Sequence, residues 1–247
     1  MQETKAVLFD LDGTLINTIY SLQDTMNKVM DRFGYDLITE EETKQFVGTG
    51  YHKFVEKALA KTADRYYAEA EKLEEKDEEK AFEKDQEADD VMDSYDDACD
   101  LYIQLFKDNC TYHLVSYPGM KETLDGLRAH GIKIACVTNK SLQEAEKCLD
   151  TVFGAGSFDY ISADDGTHPL KPDTGVVEDV LRHFSVKAEE CVFVGDTKTD
   201  MQTASNAGIR SIGCLYGFRD RKELEKYKAD CLVENAGEIL PLILDWK

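Results

Sequence analysis

The sequence predicts an α/β fold, in which a parallel sheet is covered by helices and is interrupted by an inserted all-helical domain. In the second half of the chain, short apolar runs alternate with helical patterns, as they do in βαβ units. One similar run lies near the N-terminus, at residues 6–9. Further along the chain, the 67 residues from 51 to 117 contain no glycine or proline. A stretch that lacks both residues favours long helices. We therefore predict an α/β core from residues 1–16 and 117–247, and a helical domain from residues 17–116.

The strands of the core are predicted at short runs that consist mostly of Val, Ile, Leu, Phe, Ala or Cys. Most of these runs contain three to six residues, and one contains only two. They are expected at residues 6–9, 132–137, 160–161, 191–194, 209–214 and 231–233. The helices between them are expected at residues 121–129, 141–149, 175–184 and 199–207. Because strand–helix–strand connections are right-handed, these strands should form one parallel sheet with helices on both faces.

The inserted domain contains a strongly acidic segment at residues 69–100, with 16 acidic residues and four lysines. The lysines recur every four residues, which places them on one helical face beside glutamates; they are Lys72, Lys76, Lys80 and Lys84. Apolar residues are sparse between residues 74 and 90, so we expect this part to be little buried and to fray. A solvated helix face is the usual reading of such a charge run, and a basic partner is the alternative.

The composition excludes several classes of protein. The 247 residues include 29 basic and 50 acidic side chains, for a net charge of −21, which argues against binding to nucleic acid or to an anionic membrane. No apolar run approaches the roughly 20 residues of a membrane span. The seven cysteines are scattered and form no Cys-x-x-Cys pair, which is typical of a reducing compartment. We expect a cytoplasmic protein.

Polar side chains follow several of the predicted strands at the point where each strand ends. Since the carboxyl ends of parallel strands meet at one edge of a sheet, these side chains should lie close together. Lys171 and Pro172 are expected to open the helix that follows the third strand. The polar residues concerned are Asp10, Asp12, Thr138, Asn139, Lys171, Asp196 and Asp200.

Four carboxylates beside one lysine repel one another unless a cation joins them. An all-oxygen ligand set suits Mg²⁺, which also binds substrate phosphate. A carboxylate can attack phosphorus once the phosphate charge is neutralised, and a second acid can protonate the leaving oxygen and later activate water. The residue types therefore indicate metal-assisted phosphoryl transfer.

The order of these motifs resembles the haloacid dehalogenase (HAD) superfamily of phosphatases, whose sheet is Rossmann-like. The resemblance covers residues 5–16 and 117–233 and joins an Asp-Leu-Asp-Gly-Thr run at residue 10, Val-Thr-Asn at 137, Lys-Pro at 171 and Gly-Asp-Thr-x-x-Asp at 195. It implies that Asp10 is the nucleophile, forming an aspartyl-phosphate, and that Asp12 is the general acid and base. An Asp-x-Asp-Gly run alone is more often a turn.

The resemblance also assigns the remaining residues of the core. Thr138 would hydrogen-bond the phosphoryl oxygens with Asn139 binding substrate beside it, and Lys171 would neutralise phosphate and hold the nucleophile. Asp196 would bind Mg²⁺ together with Asp10 and the backbone carbonyl of Asp12. Asp200 would either contribute to the metal's shell or orient Lys171, and the sequence leaves both open.

The helical domain has the position of the cap of this superfamily, directly after the first strand. Residues 46–53 resemble the cap specificity loop of phosphoglycolate phosphatase-like members, which makes Gly48, Gly50, Lys53 and the neighbouring His52 candidate substrate contacts. The alternative is that the Gly-Thr-Gly run is a plain turn between helices. The implied substrate is a small phosphorylated metabolite, with 2-phosphoglycolate as the leading candidate.

Other functions stay open at this point. Within the same superfamily they are a β-phosphoglucomutase-like phosphosugar mutase, a pyrophosphatase and a nucleotide phosphatase. From a different class, the chain would be a non-catalytic interaction module whose acidic cap binds a basic partner. The protein is expected to be a monomer or a homodimer.

Overall fold

The computed structural model describes residues 3–246 and divides them into two compact units. One unit contains residues 3–19 and 110–246, and the other contains residues 20–109. Both crossings between the units lie a few residues from the domain borders expected from the sequence. The second crossing comes earlier because β2 (Ile16–Asn17) pairs in antiparallel fashion with β3 (Val115–Ser116), so the chain has already entered the core unit before Tyr117.

The core unit is built on a six-stranded sheet in which every neighbouring pair is parallel. Its strands are β1 (Ala6–Phe9), β4 (Lys133–Ser141), β5 (Tyr160–Asp164), β6 (Cys191–Gly195), β7 (Arg210–Cys214) and β8 (Cys231–Val233). The order across the sheet is β5-β4-β1-β6-β7-β8, with β1 in register between β4 and β6. This order confirms the α/β prediction and places the ends of β4, β1 and β6 side by side.

Helices connect these strands, and apolar side chains of the sheet pack against them. The helices of the core unit are α6 (Met120–Ala129), α7 (Leu142–Phe153), α8 (Gly175–Phe184), α9 (Lys198–Ala207), α10 (Arg221–Lys226) and α11 (Ile239–Asp245). One buried cluster joins Leu8 and Phe193 of the central strands to Val177 of α8 and Ala204 of α9. Fully buried central strands of this kind are usual in parallel sheets covered on both faces.

Two local expectations differ from the structure. The strand β4 does not end at Val137 but continues to Ser141, with a shift in its pairing to β5 between these two residues. The helix α8 occupies the predicted range, Gly175–Phe184, but Lys171 and Pro172 do not open it, since residues 171–174 form a turn before it. The side chain of Asn139 holds this turn through two hydrogen bonds with the backbone of Lys171, and the Asp173 carboxylate accepts the N–H of Gly175.

The other unit is entirely helical. Its helices are α1 (Ile19–Phe33), α2 (Glu40–Phe46), α3 (Tyr51–Leu73), α4 (Glu78–Asp93) and α5 (Tyr95–Asn109). The stretch without glycine or proline is not one continuous helix. The helical structure is interrupted between α3 and α4, where the Asp77 side chain accepts the N–H of Lys80, and again at Ser94. Within residues 78–93, burial is limited to Ala81, Ala88 and Val91.

Two further observations concern the described chain. No helix within residues 3–246 combines the length and the apolar character that crossing a bilayer requires. None of the seven cysteines forms a disulfide bond.

Candidate active site

The sheet brings five of the candidate residues together at the carboxyl ends of β1, β4 and β6. Asp10 follows β1 directly, Asp196 follows β6, and Asp200 lies in the first turn of α9. Thr138 lies within β4, and Lys171 reaches the same edge from the turn before α8. All five are buried, with at most 7% of any residue exposed.

Lys171 lies at the centre of this group. Its Nζ donates to Oδ1 of Asp10 at 2.8 Å, to Oδ1 of Asp200 at 2.7 Å and to the carbonyl oxygen of Val137 at 2.9 Å. An ammonium has three N–H groups, so all three have partners. The lysine thereby holds the carboxylates of Asp10 and Asp200 in place at the end of the sheet.

Asp200 is oriented by the helix on which it lies. Its Oδ2 accepts the N–H of Thr197 at 3.0 Å and the hydroxyl of Thr197 at 2.7 Å, while the Thr197 hydroxyl caps the N-terminus of α9. This reciprocal arrangement is a capping box. Both oxygens of Asp200 therefore have protein donors, and one of those donors is Lys171.

Asp196 is enclosed by two loops. Its Oδ1 accepts the hydroxyl of Thr14 at 2.9 Å, and its Oδ2 accepts the backbone N–H of Phe218 at 2.7 Å. A Cβ on Gly13 would lie 2.4 Å from Oδ2 of Asp196, and a Cβ on Gly217 would lie 2.3 Å from its Cβ. Only glycine allows the two loops to approach this carboxylate so closely.

The electrostatics of the group show an excess of negative charge. Burial, then the neighbouring Asp200, raises the pKa of Asp10 well above its usual range, and the same two causes raise the pKa of Asp196 to about 7. Burial disfavours the charged form of Lys171, but Asp10 and Asp200 outweigh it and raise the pKa of the lysine. Three buried carboxylates thus face a single ammonium.

The same three carboxylates suit a divalent cation. One oxygen from each of Asp10, Asp196 and Asp200 lies within 4.8 Å of the others. A hard cation such as Mg²⁺ prefers oxygen ligands and would balance the excess negative charge. The donor set therefore fits the metal that the sequence implies.

Asp12 does not belong to this group of three carboxylates. Its Oδ1 accepts the hydroxyl of Thr18 at 2.6 Å and lies 3.2 Å from Nζ of Lys140. The side chain is 20% exposed, whereas that of Lys140 is 5% exposed. Of the four carboxylates expected at this edge of the sheet, Asp12 therefore has partners of its own.

The two polar residues of β4 have different surroundings. The Thr138 hydroxyl oxygen accepts the N–H of Lys140 at 3.2 Å, which leaves its proton available for donation. The Asn139 amide donates to the carbonyl of Lys171 at 3.1 Å and accepts the N–H of Lys171 at 2.7 Å. In this structure Asn139 therefore supports Lys171, a role that its position in the sequence did not suggest.

The candidate substrate contacts of the inserted domain all lie in the helical unit. Gly48 and Gly50 have positive φ angles of 106° and 87°, and Gly50 immediately precedes α3. Lys53 lies in the first turn of α3, where its Nζ pairs with Glu56 and its side chain is 59% exposed. His52 accepts or donates a hydrogen bond with the Tyr95 hydroxyl at 3.0 Å. The Gly-Thr-Gly run therefore also serves as the turn between α2 and α3.

Several residues of the site were not predicted from the sequence. They are Thr14, Thr18, Lys140, Thr197 and Phe218, and all of them contact a predicted carboxylate. Thr14 and Thr197 lie inside the motifs already singled out, and Lys140 directly follows Thr138 and Asn139. The contact of Phe218 is made by its backbone, so its side chain carries no signal.

Comparison with known proteins agrees with this geometry. Residues 7–214 match the family model described as haloacid dehalogenase-like hydrolase. A phosphoglycolate phosphatase from Nitrosococcus oceani is 24% identical over 98% of both chains. Another phosphoglycolate phosphatase, from Vibrio parahaemolyticus, is 28% identical over 98% of this chain and 97% of its own. The matches to these relatives cover both units of the chain.

A solved structure gives the corresponding result for the fold. It belongs to a protein from Lactobacillus delbrueckii subsp. bulgaricus that is described as a candidate phosphoglycolate phosphatase. The two chains are 26% identical, superpose with a TM-score of 0.84, and cover 98% of this chain and 99% of the other.

Proposed function

The chain belongs to the haloacid dehalogenase-like hydrolases and is a phosphatase, and from this premise we propose that it hydrolyses a small phosphomonoester through an aspartyl-phosphate on Asp10. The observation that carries this proposal is the Lys171 bridge between Asp10 and Asp200. It holds a buried carboxylate beside a cation, at the sheet edge where α/β proteins bind ligands. The substrate we favour is 2-phosphoglycolate, because relatives that match almost the whole chain are phosphoglycolate phosphatases.

We assign Mg²⁺ to the carboxylate group. Asp10 and Asp196 would hold it together with the backbone carbonyl of Asp12, while Asp200, already bound by Lys171 and Thr197, would support the site through Lys171. When bound, the metal supplies positive charge that neutralises the phosphoryl oxygens.

The protein side chains supply the remaining chemistry. The Asp10 carboxylate attacks phosphorus while the bond to the ester oxygen breaks, and Asp12 gives its proton to that leaving oxygen. Asp12 then takes a proton from the water that attacks the phosphorus of the aspartyl-phosphate, which releases inorganic phosphate and restores Asp10. The Thr138 hydroxyl binds the phosphoryl oxygens, and the positive charge of Lys171, whose N–H groups hold Asp10, Asp200 and Val137, neutralises the charge on those oxygens.

We further propose that the helical unit is a cap that excludes water and selects the substrate. The positive φ angles of Gly48 and Gly50 support this, since they let the backbone approach a small ligand. The exposed ammonium of Lys53 suits a carboxylate at the far end of the substrate. A cytoplasmic location is part of the proposal and is supported by seven cysteines without a disulfide bond.

Release of inorganic phosphate across a panel of phosphate esters with Mg²⁺ tests the proposed function. The panel contains 2-phosphoglycolate, hexose phosphates, pyrophosphate and nucleoside monophosphates. We expect the highest kcat/KM for 2-phosphoglycolate, loss of activity in excess EDTA, and at least a roughly thousandfold loss in Asp10→Asn, which removes the nucleophile.

Each alternative outcome identifies a different fault in the proposal. A flat profile would reject substrate selection by the cap, and isomerisation of a sugar phosphate without phosphate release would indicate a mutase. Substantial turnover by Asp10→Asn would reject the aspartyl-phosphate. Replacing Lys53 by Ala should raise KM for 2-phosphoglycolate, and an unchanged KM would remove Lys53 from the site.

A further inference from the structure

Lys140 is a buried cation at the carboxyl end of β4 that the proposed reaction does not use. Its side chain is 5% exposed, and its Nζ lies 3.2 Å from Oδ1 of Asp12. Burying an ammonium is costly unless an anion compensates for it. Asp12 is the carboxylate that faces this ammonium.

Lys140 lies close to Thr138 at the end of β4, where the pairing of the strand is irregular. The two residues are two positions apart, and both are buried. The backbone N–H of Lys140 also donates to the hydroxyl oxygen of Thr138. This hydrogen bond fixes the backbone of Lys140 next to the Thr138 hydroxyl, which we assign to phosphoryl binding.

The partners of Asp12 are distributed unequally between its two oxygens. The contacts from Thr18 and Lys140 are both made to Oδ1. The hydroxyl of Thr18 and the ammonium of Lys140 occupy the space beside this oxygen, where a proton carried on it would meet them. The arrangement therefore keeps Oδ2 as the oxygen on which an exchangeable proton can be carried.

We propose that Lys140 is a positioning residue for Asp12. Lys140 and Thr18 together hold Oδ1 of Asp12, so that Oδ2 exchanges the proton with the ester oxygen and then with water. The inference rests on the proposed function, because it concerns the general acid of that reaction. The proton carried on Oδ2 moves to the leaving oxygen as the P–O bond breaks, and a proton from the attacking water returns to Oδ2. Lys140 itself gives up no proton in either step.

The dependence on leaving group tests this role. An alkoxide leaves only with a proton, whereas p-nitrophenolate leaves without one, so misplacing the acid should affect alkyl esters selectively. We compare kcat/KM for p-nitrophenyl phosphate and for the best alkyl phosphate of the panel, because kcat/KM reports the steps up to release of the alcohol. Lys140→Met should lower the value for the alkyl ester about a hundredfold and that for the aryl ester no more than about threefold.

Matched variants separate positioning from folding. Lys140→Arg keeps a cation at the same place and should recover at least about tenfold of the loss. Lys133→Met removes an exposed lysine from the other end of β4, where it pairs with Asp159, and should leave both substrates unaffected. Thr18→Val removes the second donor to Oδ1 and should reproduce the selective loss, which keeps the test valid if Lys140→Met fails to fold.

Two results would overturn the inference. Equal losses for the two esters, with weaker inhibition by inorganic phosphate, would assign Lys140 to phosphate binding, and no loss for either ester would leave it without a role in the reaction. Failure of the proposed function looks different, since the wild-type protein itself would then release phosphate from neither ester.

Discussion

At the scale of single residues, the environment of Asp196 shows how closely the site depends on glycine. Gly13 has a φ of 87°, a conformation that side chains rarely adopt, and Gly217 faces the same carboxylate from the loop after β7. Between them, Asp196 accepts hydrogen bonds on both oxygens. The position of this carboxylate is therefore determined by the two glycine loops around it as much as by β6, which it follows.

Gly217→Ala tests this enclosure without introducing backbone strain, since only the added methyl group conflicts with Asp196. We expect phosphatase activity to fall at least about a hundredfold, and the gain in Tm on adding Mg²⁺ to shrink, because the carboxylate must move. The control is Gly237→Ala, whose Cβ would meet only the Asn235 side chain, at 3.2 Å. Wild-type activity in Gly217→Ala would show that Asp196 tolerates displacement.

At the scale of elements, α4 is weakly anchored in the helical unit. The buried side chains of α4 are two alanines and one valine, whereas α5 buries Cys99, Tyr102 and Phe106. Burial of apolar area stabilises a helix in proportion to that area. Of residues 74–90, which we expected to fray, residues 74–77 lie outside the helices and residues 78–90 are helical, but little apolar packing secures them.

Hydrogen exchange measures this difference directly. We expect the amides of α4 to be protected at least about tenfold less than those of α5, since regions with few buried apolar contacts open more readily. Val91→Ala should lower protection along α4 further, while Phe82→Ala should leave it unchanged, because Phe82 is 63% exposed. Equal protection of the two helices would contradict this account of the acidic segment.

At the scale of the whole molecule, the net charge of −21 includes carboxylates in two different environments. The acidic segment at residues 69–100 lies wholly in the helical unit, so it adds no carboxylate to the core unit. The core unit contributes the buried group of Asp10, Asp196 and Asp200, which needs a cation. Charge that is averaged over the chain hides this distinction between solvated and buried carboxylates.

The buried group predicts how stability depends on pH without metal. Since the pKa of Asp196 rises from 3.8 to about 7 on folding, the folded protein holds more protons than the unfolded chain in that window. Stability then falls as pH rises from about 4 to 7, by up to about 1.4 kcal/mol per pH unit. Denaturant unfolding in EDTA should therefore show Asp196→Asn gaining stability relative to wild type across this window.

Magnesium provides the control for that experiment. Because a divalent cation replaces the missing positive charge, Mg²⁺ should stabilise the wild-type protein more at pH 8 than at pH 5, and Asp196→Asn much less at either pH. Parallel pH curves for the two proteins in EDTA would contradict the assignment of this dependence to Asp196.

Much of the core could be predicted from local pattern. The six strands of the sheet were located by their apolar runs, with errors of a few residues, because a strand buried on both faces must be apolar throughout. The range of α8 was predicted correctly, but the turn that holds Lys171 before it was not, since the hydrogen bonds of Asn139 to Lys171 join residues 32 positions apart and leave no local signal. The break between α3 and α4 was missed because Asp77 is one of many acidic residues there.

The sequence by itself determined which residues reach the edge of the sheet, because a polar residue that directly follows a buried parallel strand can lie nowhere else. Asp10 and Asp196 are of this kind. The tertiary structure alone decided the partners at that edge: Lys171 joins Asp10 to Asp200, while Asp12 pairs with Lys140. Such pairings depend on side-chain direction and on the distance between strands that are remote in the chain, and neither quantity is encoded in local periodicity.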